Sequence, residues 1–218
     1  MLNFRTYLRM EIQTYQIRFD QIIFAKDAEE VNKYCQTPYK NHPNGCPNFQ
    51  HNWSCPPYAP TVQETRASLG TYTFFWLLIM EIPIPKKKIK IFKKWRTKHE
   101  FGRITKHLND FIDYLQKDHE DWKLFFCSEC TLCPEKNYSK CTCPTEPCRY
   151  PNKIRISPEA AGIDVFTTLT NLDISIEKNP ITKLHRIAMC AADERVNFDV
   201  EYKKYETYLS ILNKIENL

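Results

Sequence analysis

The chain has 218 residues, of which 42% are hydrophobic and 26% charged, and its formal net charge is +5. This length fits one large domain, or one domain with an appendage. Its 4 glycines form neither GxGxxG nor GxxxxGK[ST], which excludes the two common glycine-rich nucleotide sites.

The start of the chain predicts edge strands, a short helix and a long irregular loop. Alternating runs between residues 8 and 24 predict edge or half-buried strands. Asp27 is a suitable N-cap for a helix over residues 28–34. Residues 37–60 are rich in Pro and Asn and predict no regular element, so we expect a bound metal to order them.

The middle of the chain predicts a strand–helix–strand unit. Residues 71–82 are almost continuously apolar, which is typical of a central strand buried on both faces. Residues 98–117 predict an amphipathic helix, and residues 122–126 a short strand. The helix has five apolar residues at helical spacing: Ile104, Leu108, Phe111, Ile112 and Leu115. This order predicts a right-handed crossover in an α/β fold, with a small mixed sheet, flanking helices and two long cysteine-rich loops.

The last third predicts helices. Ser157 and Pro158 open a short helix that Gly162 can end, and Asp164 is a suitable cap for the next helix. Residues 196–218 predict a C-terminal helix with one apolar face: Phe198, Tyr202, Tyr205, Leu209, Leu212 and Ile215. We therefore expect one domain over residues 1–195 and a helical extension over residues 196–218.

Targeting signals are not evident. The first 16 residues lack the apolar core of a secretory signal. The longest apolar stretch, residues 74–80, is far shorter than the roughly 20 residues of a membrane helix. We therefore expect a cytoplasmic protein, and in a reducing cytosol a high cysteine content indicates metal binding rather than disulfides.

Nine of the 10 cysteines fall in two proline-flanked groups. The denser, second group has six thiols within 22 residues: Cys127, Cys130, Cys133, Cys141, Cys143 and Cys148. Thiolates are soft ligands that select zinc, cuprous copper or iron–sulfur clusters. The C-x2-C-x2-C spacing opens the bacterial ferredoxin motif, and no His lies between residues 120 and 184 to suggest a mixed zinc site.

Two ligand sets are compatible with this spacing. One combines Cys127, Cys130 and Cys133 with a remote cysteine. The other set is local and consists of Cys130, Cys133, Cys141 and Cys148. It does not use Cys127 and Cys143 as ligands. We favour the local set because it closes a four-thiolate iron–sulfur site. The alternative is a closed zinc knuckle that only holds the loop.

The first group is looser and contains Cys35, Cys46 and Cys55. Three thiols fit a second metal centre, such as an iron–sulfur cluster, whose fourth ligand is not a cysteine. An iron without a cysteine ligand is a Lewis acid and could bind a small molecule. The alternative is three loop cysteines, two of them buried as small hydrophobes. Cys190 lies in an apolar segment, which indicates a core residue.

Three blocks resemble a known family. They are residues 48–58, which contain Trp-Ser-Cys-Pro-Pro-Tyr, residues 130–151 around the local cysteine set, and residues 157–165. Over roughly residues 15–175 the chain resembles the prokaryotic family described as predicted metal-binding protein, domain of unknown function 2284. The resemblance implies a cysteine-ligated metal or iron–sulfur site in a cytoplasmic protein. The chain departs from the family pattern in three features. The segment between Cys133 and Cys141 is longer, Cys127 and Cys143 are additional, and a tail extends beyond residue 195.

Residues 86–106 contain ten Lys or Arg and a single acid, Glu100. They could contact nucleic acid or dock an acidic redox partner, although a solvated surface is the favoured interpretation. The sequence thus predicts an iron–sulfur protein, of the [4Fe-4S] type, that transfers electrons or binds a small ligand at an open iron. The alternative is a zinc-stabilised interaction module for nucleic acid or protein, and whether the protein is an enzyme is left open.

Overall fold

The structure is a computed structural model that describes residues 10–38, 42–84, 90–177 and 182–215. Within these ranges four strands form one sheet: β1 (Glu11–Ile17), β2 (Phe74–Pro83), β3 (Lys123–Phe125) and β4 (Lys183–Ala192). Six α-helices accompany them: α1 (Ala28–Gln36), α2 (Val62–Leu69), α3 (Lys90–Asp118), α4 (Leu132–Glu135), α5 (Val165–Asn171) and α6 (Phe198–Ile215). The predicted α/β class is confirmed.

The sheet has the order β1-β2-β4-β3, and its three ladders are antiparallel. Because β2 and β3 each run antiparallel to β4, they are parallel to one another and α3 connects them. The predicted strand–helix–strand unit is therefore present, but β4 lies between its two strands. Sequence reasoning missed β4, because its buried half is rich in alanine, which is depleted in strands.

The sheet separates two hydrophobic clusters, since successive side chains of a strand point to opposite faces. Residues of β2 that face α3 and α6 are Trp76, Leu78 and Met80. Those that face α2 and α5 are Phe75, Leu77 and Ile79. None of the six is more than 3% exposed, which confirms the prediction of a central strand buried on both faces. Cys190 is fully buried in the first cluster, as predicted for a core residue.

Two predicted helix caps are confirmed. Asp27 accepts a hydrogen bond from the Glu30 amide at the start of α1, and Asp164 accepts one from the Thr167 amide at the start of α5. The short helix predicted after Ser157 is wrong, because residues 158–162 form turns. The segment forms turns instead of a helix because the chain pairs again directly afterwards, in the bridge between Ile163 and Phe24.

Helix α6 confirms the predicted C-terminal helix. Its first half packs into the cluster that contains α3, through Phe198, Tyr202 and Tyr205. In its second half Ile211 and Ile215 are exposed. The proposed boundary at residue 195 stays a prediction.

Helix α3 begins earlier than expected, at Lys90 instead of residue 98. In the basic segment, residues 85–89 lie outside the described residues, and side chains are described only from His99 onward. No helix in the described ranges is both long and apolar enough to cross a membrane.

The apolar face of α3 generates a first prediction. Leu108 is fully buried between α3 and the sheet, so Leu108→Ala should lower the free energy of unfolding by about 2–5 kcal/mol. Ile211→Ala is the matched control, because Ile211 is 52% exposed on α6 and its truncation should change stability by no more than about 0.5 kcal/mol. Urea denaturation followed by circular dichroism measures both, and equal losses would contradict the assigned core.

Candidate metal centres

A small cavity in the segment after β3 is lined by four thiols of the second group: Cys130, Cys133, Cys141 and Cys148. These four form the local set that the spacing favours. Two local features bring them together. Asn137, at φ +65, reverses the chain after α4, and its neighbour Tyr138 donates its amide to the Cys133 carbonyl at 3.0 Å. The Thr142 hydroxyl donates to the Pro147 carbonyl at 3.0 Å, which closes the turn between the last two cysteines.

Backbone amides point at two of these sulfurs. The Tyr150 amide lies 3.4 Å from Cys148 Sγ. Burial raises the pKa of Cys130, and the amides of Arg155 and Leu132 act in the opposite direction. At Cys130 these amides partly offset the effect of burial, because N–H donors stabilise the charged sulfur, which is the form that binds metal.

Arg149 supplies a charged donor to a third sulfur. Its Nη1 lies 3.5 Å from Cys133 Sγ and donates to the Lys140 carbonyl at 3.1 Å. The guanidinium also lies over the ring of Tyr138, 4.2 Å from its centroid. The arginine is thus held in place beside the cavity, where its charge offsets that of a thiolate.

Arg155 fixes this segment to the body of the protein. Its side chain is 4% exposed and pairs with Glu135 of α4 at 2.7 Å and with Asp113 of α3. A buried arginine with two carboxylates holds its partners in one geometry. The helix that contains Cys133 is therefore anchored to α3.

Cys127 and Cys143 lie outside the cavity lining. The backbone amide and carbonyl of Cys127 both bond the side chain of Asn109, at 3.0 and 3.1 Å, and its sulfur lies 3.2 Å from Asn109 Oδ1. Burial raises the pKa of Cys127 to about 12. The sulfur of Cys143 lies 3.9 Å from the Gln50 carbonyl. Cys127 and Cys143 are therefore the two cysteines of this group that the local set does not include. A ligand role for either stays a prediction.

The structure also brings the first group together. The Cys46 amide donates to the Cys35 carbonyl at 2.7 Å. Gly45 allows this approach, because at its φ of +83 a Cβ atom would lie 2.4 Å from the same carbonyl oxygen. Burial raises the pKa of Cys55 to about 12, and the charges of Cys46 and Cys35 raise it further. The three thiols are therefore close enough to influence one another.

Two carboxylates that sequence reasoning missed act on thiols of the first group. Glu159 acts on the pKa of Cys35, and Glu129 on that of Cys55. The Glu159 side chain is exposed. The resembling block over residues 157–165 was the one signal that could have drawn attention to Glu159.

Arg186 of β4 is a further charged residue near the cysteines: its charge acts on the pKa of Cys127, and the charges of Cys127, Glu159 and Glu129 act on it. Its Nε donates to the Thr105 hydroxyl at 2.6 Å, and its guanidinium lies 4.4 Å from the centroid of the Phe101 ring. Among the described residues it forms no ion pair. No sequence signal indicated Arg186, because its strand β4 was itself missed.

The two groups are adjacent. Trp53 lines the four-thiol cavity, and its Nε1 donates to the Glu146 carbonyl at 3.1 Å. Its ring packs edge-on against Tyr58, with centroids 4.8 Å apart. The block that contains Cys55 is therefore docked on the loop between Cys141 and Cys148.

The donor set fits a soft metal, because four thiols with N–H donors on their sulfurs surround one cavity. Within the described ranges, no three His, Cys, Asp or Glu side chains converge on the position of a single metal ion. All ten cysteines are described, and each is free of disulfide bonds.

The surroundings of Cys127 generate a prediction about pH. The thiolate is the form that reacts with iodoacetamide, and a pKa of about 12 leaves about one thiolate in ten thousand at pH 8. Cys127 should therefore stay unmodified in the metal-free protein at pH 8, and its reaction should rise as the pH approaches 12. Peptide mass mapping measures this, and rapid labelling of Cys127 at pH 8 in folded protein would contradict its placement.

Arg149 generates a prediction about metal affinity. Removing its contact with Cys133 Sγ in Arg149→Ala should weaken zinc binding at the second group by about 10- to 100-fold, the usual effect of losing such an outer contact. Competition with a chromophoric chelator measures the affinity. Arg195→Ala is the control, since Arg195 is exposed and lies over Phe74 instead of a cysteine. Equal affinities for the two variants would show that Arg149 does not act on the sulfur.

Comparison with known proteins identifies the family of this chain. A family model with the description "Predicted metal-binding protein (DUF2284)" matches residues 16–191, which include both cysteine groups and all three resembling blocks. No curated protein and no solved structure matches the chain. With about four fifths of its length matched, the chain belongs to the family of predicted metal-binding proteins with domain of unknown function 2284.

Proposed function

We propose that the protein is a cytoplasmic iron–sulfur protein with two cysteine centres of different kinds. The observation that supports this most directly is the cavity lined by Cys130, Cys133, Cys141 and Cys148. Four thiolates are the usual ligand set of a [4Fe-4S] cluster. A closed zinc site would place the same four sulfurs about 2.3 Å from one ion. The lack of His between residues 120 and 184 favours the cluster, because zinc sites commonly combine His with Cys.

The second group would serve electron transfer. A site closed by four protein thiolates has no position for a substrate, and when bound the cluster supplies one-electron chemistry. Cys141 and Cys148 are half-buried, so the centre lies near the surface. Lys136, Lys140 and Lys153 are exposed in or just after the same segment of the chain. Such basic side chains suit an acidic redox partner, because opposite charges steer its approach.

The first group would serve ligand binding. A metal held by Cys35, Cys46 and Cys55 keeps a position for a small molecule, which the metal polarises as a Lewis acid. Glu159 acts on the pKa of Cys35, and Glu129 on that of Cys55, so both carboxylates lie near this site. A carboxylate could orient a positively charged group of such a ligand.

The spectrum of protein purified without oxygen tests the metal type. We expect a broad absorption band near about 400 nm that bleaches with dithionite, with iron and acid-labile sulfide in equal amounts. Iron, sulfide and zinc are assayed on the same sample. A colourless protein with stoichiometric zinc would contradict the proposal and leave a zinc-stabilised interaction module as the account.

Substitution of single cysteines tests the ligand set. Serine at any of positions 130, 133, 141 or 148 should remove the iron of the second group, because each closes the four-thiolate site. Cys190→Ala is the control, since this core cysteine lies apart from both groups and its loss should leave the iron content unchanged. Iron content that survives the four serine substitutions would show that the assigned ligand set is wrong.

A further inference from the structure

Ser54 contacts residues from both cysteine groups. Its hydroxyl oxygen accepts a hydrogen bond from the Cys130 amide at 3.0 Å. The same oxygen lies 3.9 Å from Cys55 Sγ. Cys130 belongs to the four-thiol cavity, whereas Cys55 belongs to the first group. One hydroxyl group therefore touches a candidate ligand of each centre.

Asn52 completes a closed ring of hydrogen bonds. The Ser54 hydroxyl donates to Asn52 Oδ1 at 3.0 Å, and Asn52 Nδ2 donates to the Cys130 carbonyl at 3.1 Å. Both backbone groups of Cys130 are thus held by side chains of the first loop. A shift of either loop would break at least one of these bonds.

The ring is shielded from water. Ser54 is 1% exposed and Asn52 6%. A buried polar group that loses its partner cannot replace it with water, so breaking the ring costs more than breaking a surface contact. A change in the geometry of one loop therefore alters the geometry of the other.

The same side chains also hold the backbone next to Cys55. The Ser54 amide donates to Asn52 Oδ1 at 3.1 Å, and Ser54 directly precedes Cys55 in the chain. Asn52 thus holds the backbone beside Cys55 and the carbonyl of Cys130 at the same time. Ordering of one cysteine by a metal therefore favours the geometry of the other.

The two loops differ in how they are anchored. The loop with Cys130 and Cys133 is held to α3 by Arg155 and by Asn109. The described part of residues 37–60 has turns but neither helix nor strand. Ordering of the first loop therefore depends more on its contacts with the second.

We propose that Ser54 and Asn52 couple metal loading at the two cysteine groups, so that an ion at one group raises the affinity of the other. This inference rests on the proposed function, because it requires that both groups bind metal. Coupling between two sites is reciprocal, and coupling factors commonly lie between about 5 and 150. For one shared hydroxyl we expect a factor of about ten, at the lower end of the effect of an outer contact on metal affinity.

Native mass spectrometry of the full chain with limiting zinc ion measures the coupling factor directly. The populations with zero, one and two zinc ions give it at equilibrium. In the wild-type protein we expect the squared one-zinc population, divided by the product of the zero-zinc and two-zinc populations, to be about ten times smaller than for independent sites. In Ser54→Ala the factor should fall to about one, because the ring is broken.

The control variant is Ser68→Ala, which removes a hydroxyl on α2, outside both groups, and should load like the wild type. Circular dichroism checks that Ser54→Ala is folded. If it is not, Asn52→Asp gives a second test, because it keeps the side-chain size but removes the donor to the Cys130 carbonyl. It should lower the factor in the same way.

The outcomes separate the two proposals. Wild-type protein that loads one group or neither would overturn the proposed pair of centres. Wild-type protein that loads both groups independently, or a Ser54→Ala variant that loads as cooperatively as the wild type, would overturn the coupling alone.

Discussion

The pairing of β2 with β4 is the interaction on which the rest of the structure depends. Ten consecutive residue pairs join the two strands, from Phe74 with Ala192 to Pro83 with Lys183. Each strand has one face in each hydrophobic cluster, so their pairing creates both halves of the core. Among the described residues, the short strand β3 pairs with β4 alone. Without β4, the chain leading to Cys127 and to the four-thiol cavity would have no partner in the sheet.

The cysteine loops follow a different physical principle from the core. They bury little apolar surface, so side-chain hydrogen bonds and ion pairs fix them instead. Asn109 holds the backbone of Cys127, Arg155 ties α4 to α3, and Asn52 holds the backbone of Cys130. Such contacts are directional and position a sulfur more closely than apolar contacts do. A bound metal would add free energy to this arrangement, because ligands gathered in the folded chain are scattered in the unfolded one.

The two cysteine groups differ in ways that fit different chemistry. The second group has four thiols around one cavity, with arginine and amide donors on the sulfurs. The first has three thiols, and the carboxylate of Glu159 acts on one of them. A closed site would suit storage and transfer of an electron, while an incomplete one beside a carboxylate would suit binding of a ligand. Ser54 contacts one cysteine of each group, so the two groups belong to one structural unit.

Local sequence patterns were sufficient to predict several structural features of this protein. Helical spacing identified the buried face of α3, a continuous apolar run identified β2, and side-chain chemistry identified the caps Asp27 and Asp164. The spacing of cysteines also singled out the four that line one cavity. Each of these features is encoded within a few residues, where periodicity, capping and short ligand spacing are visible.

Contacts between distant parts of the chain were decided by tertiary structure alone. Strand β4 has weak strand propensity and forms because it lies between β2 and β3. Ser54 and Cys130 are 76 positions apart, and no periodic pattern relates them. The same holds for Glu159, which acts on Cys35 from a turn beyond the second cysteine group. The sequence by itself determined which residues could bind a metal, whereas the tertiary structure decided which of them meet, because that depends on how the sheet brings distant segments together.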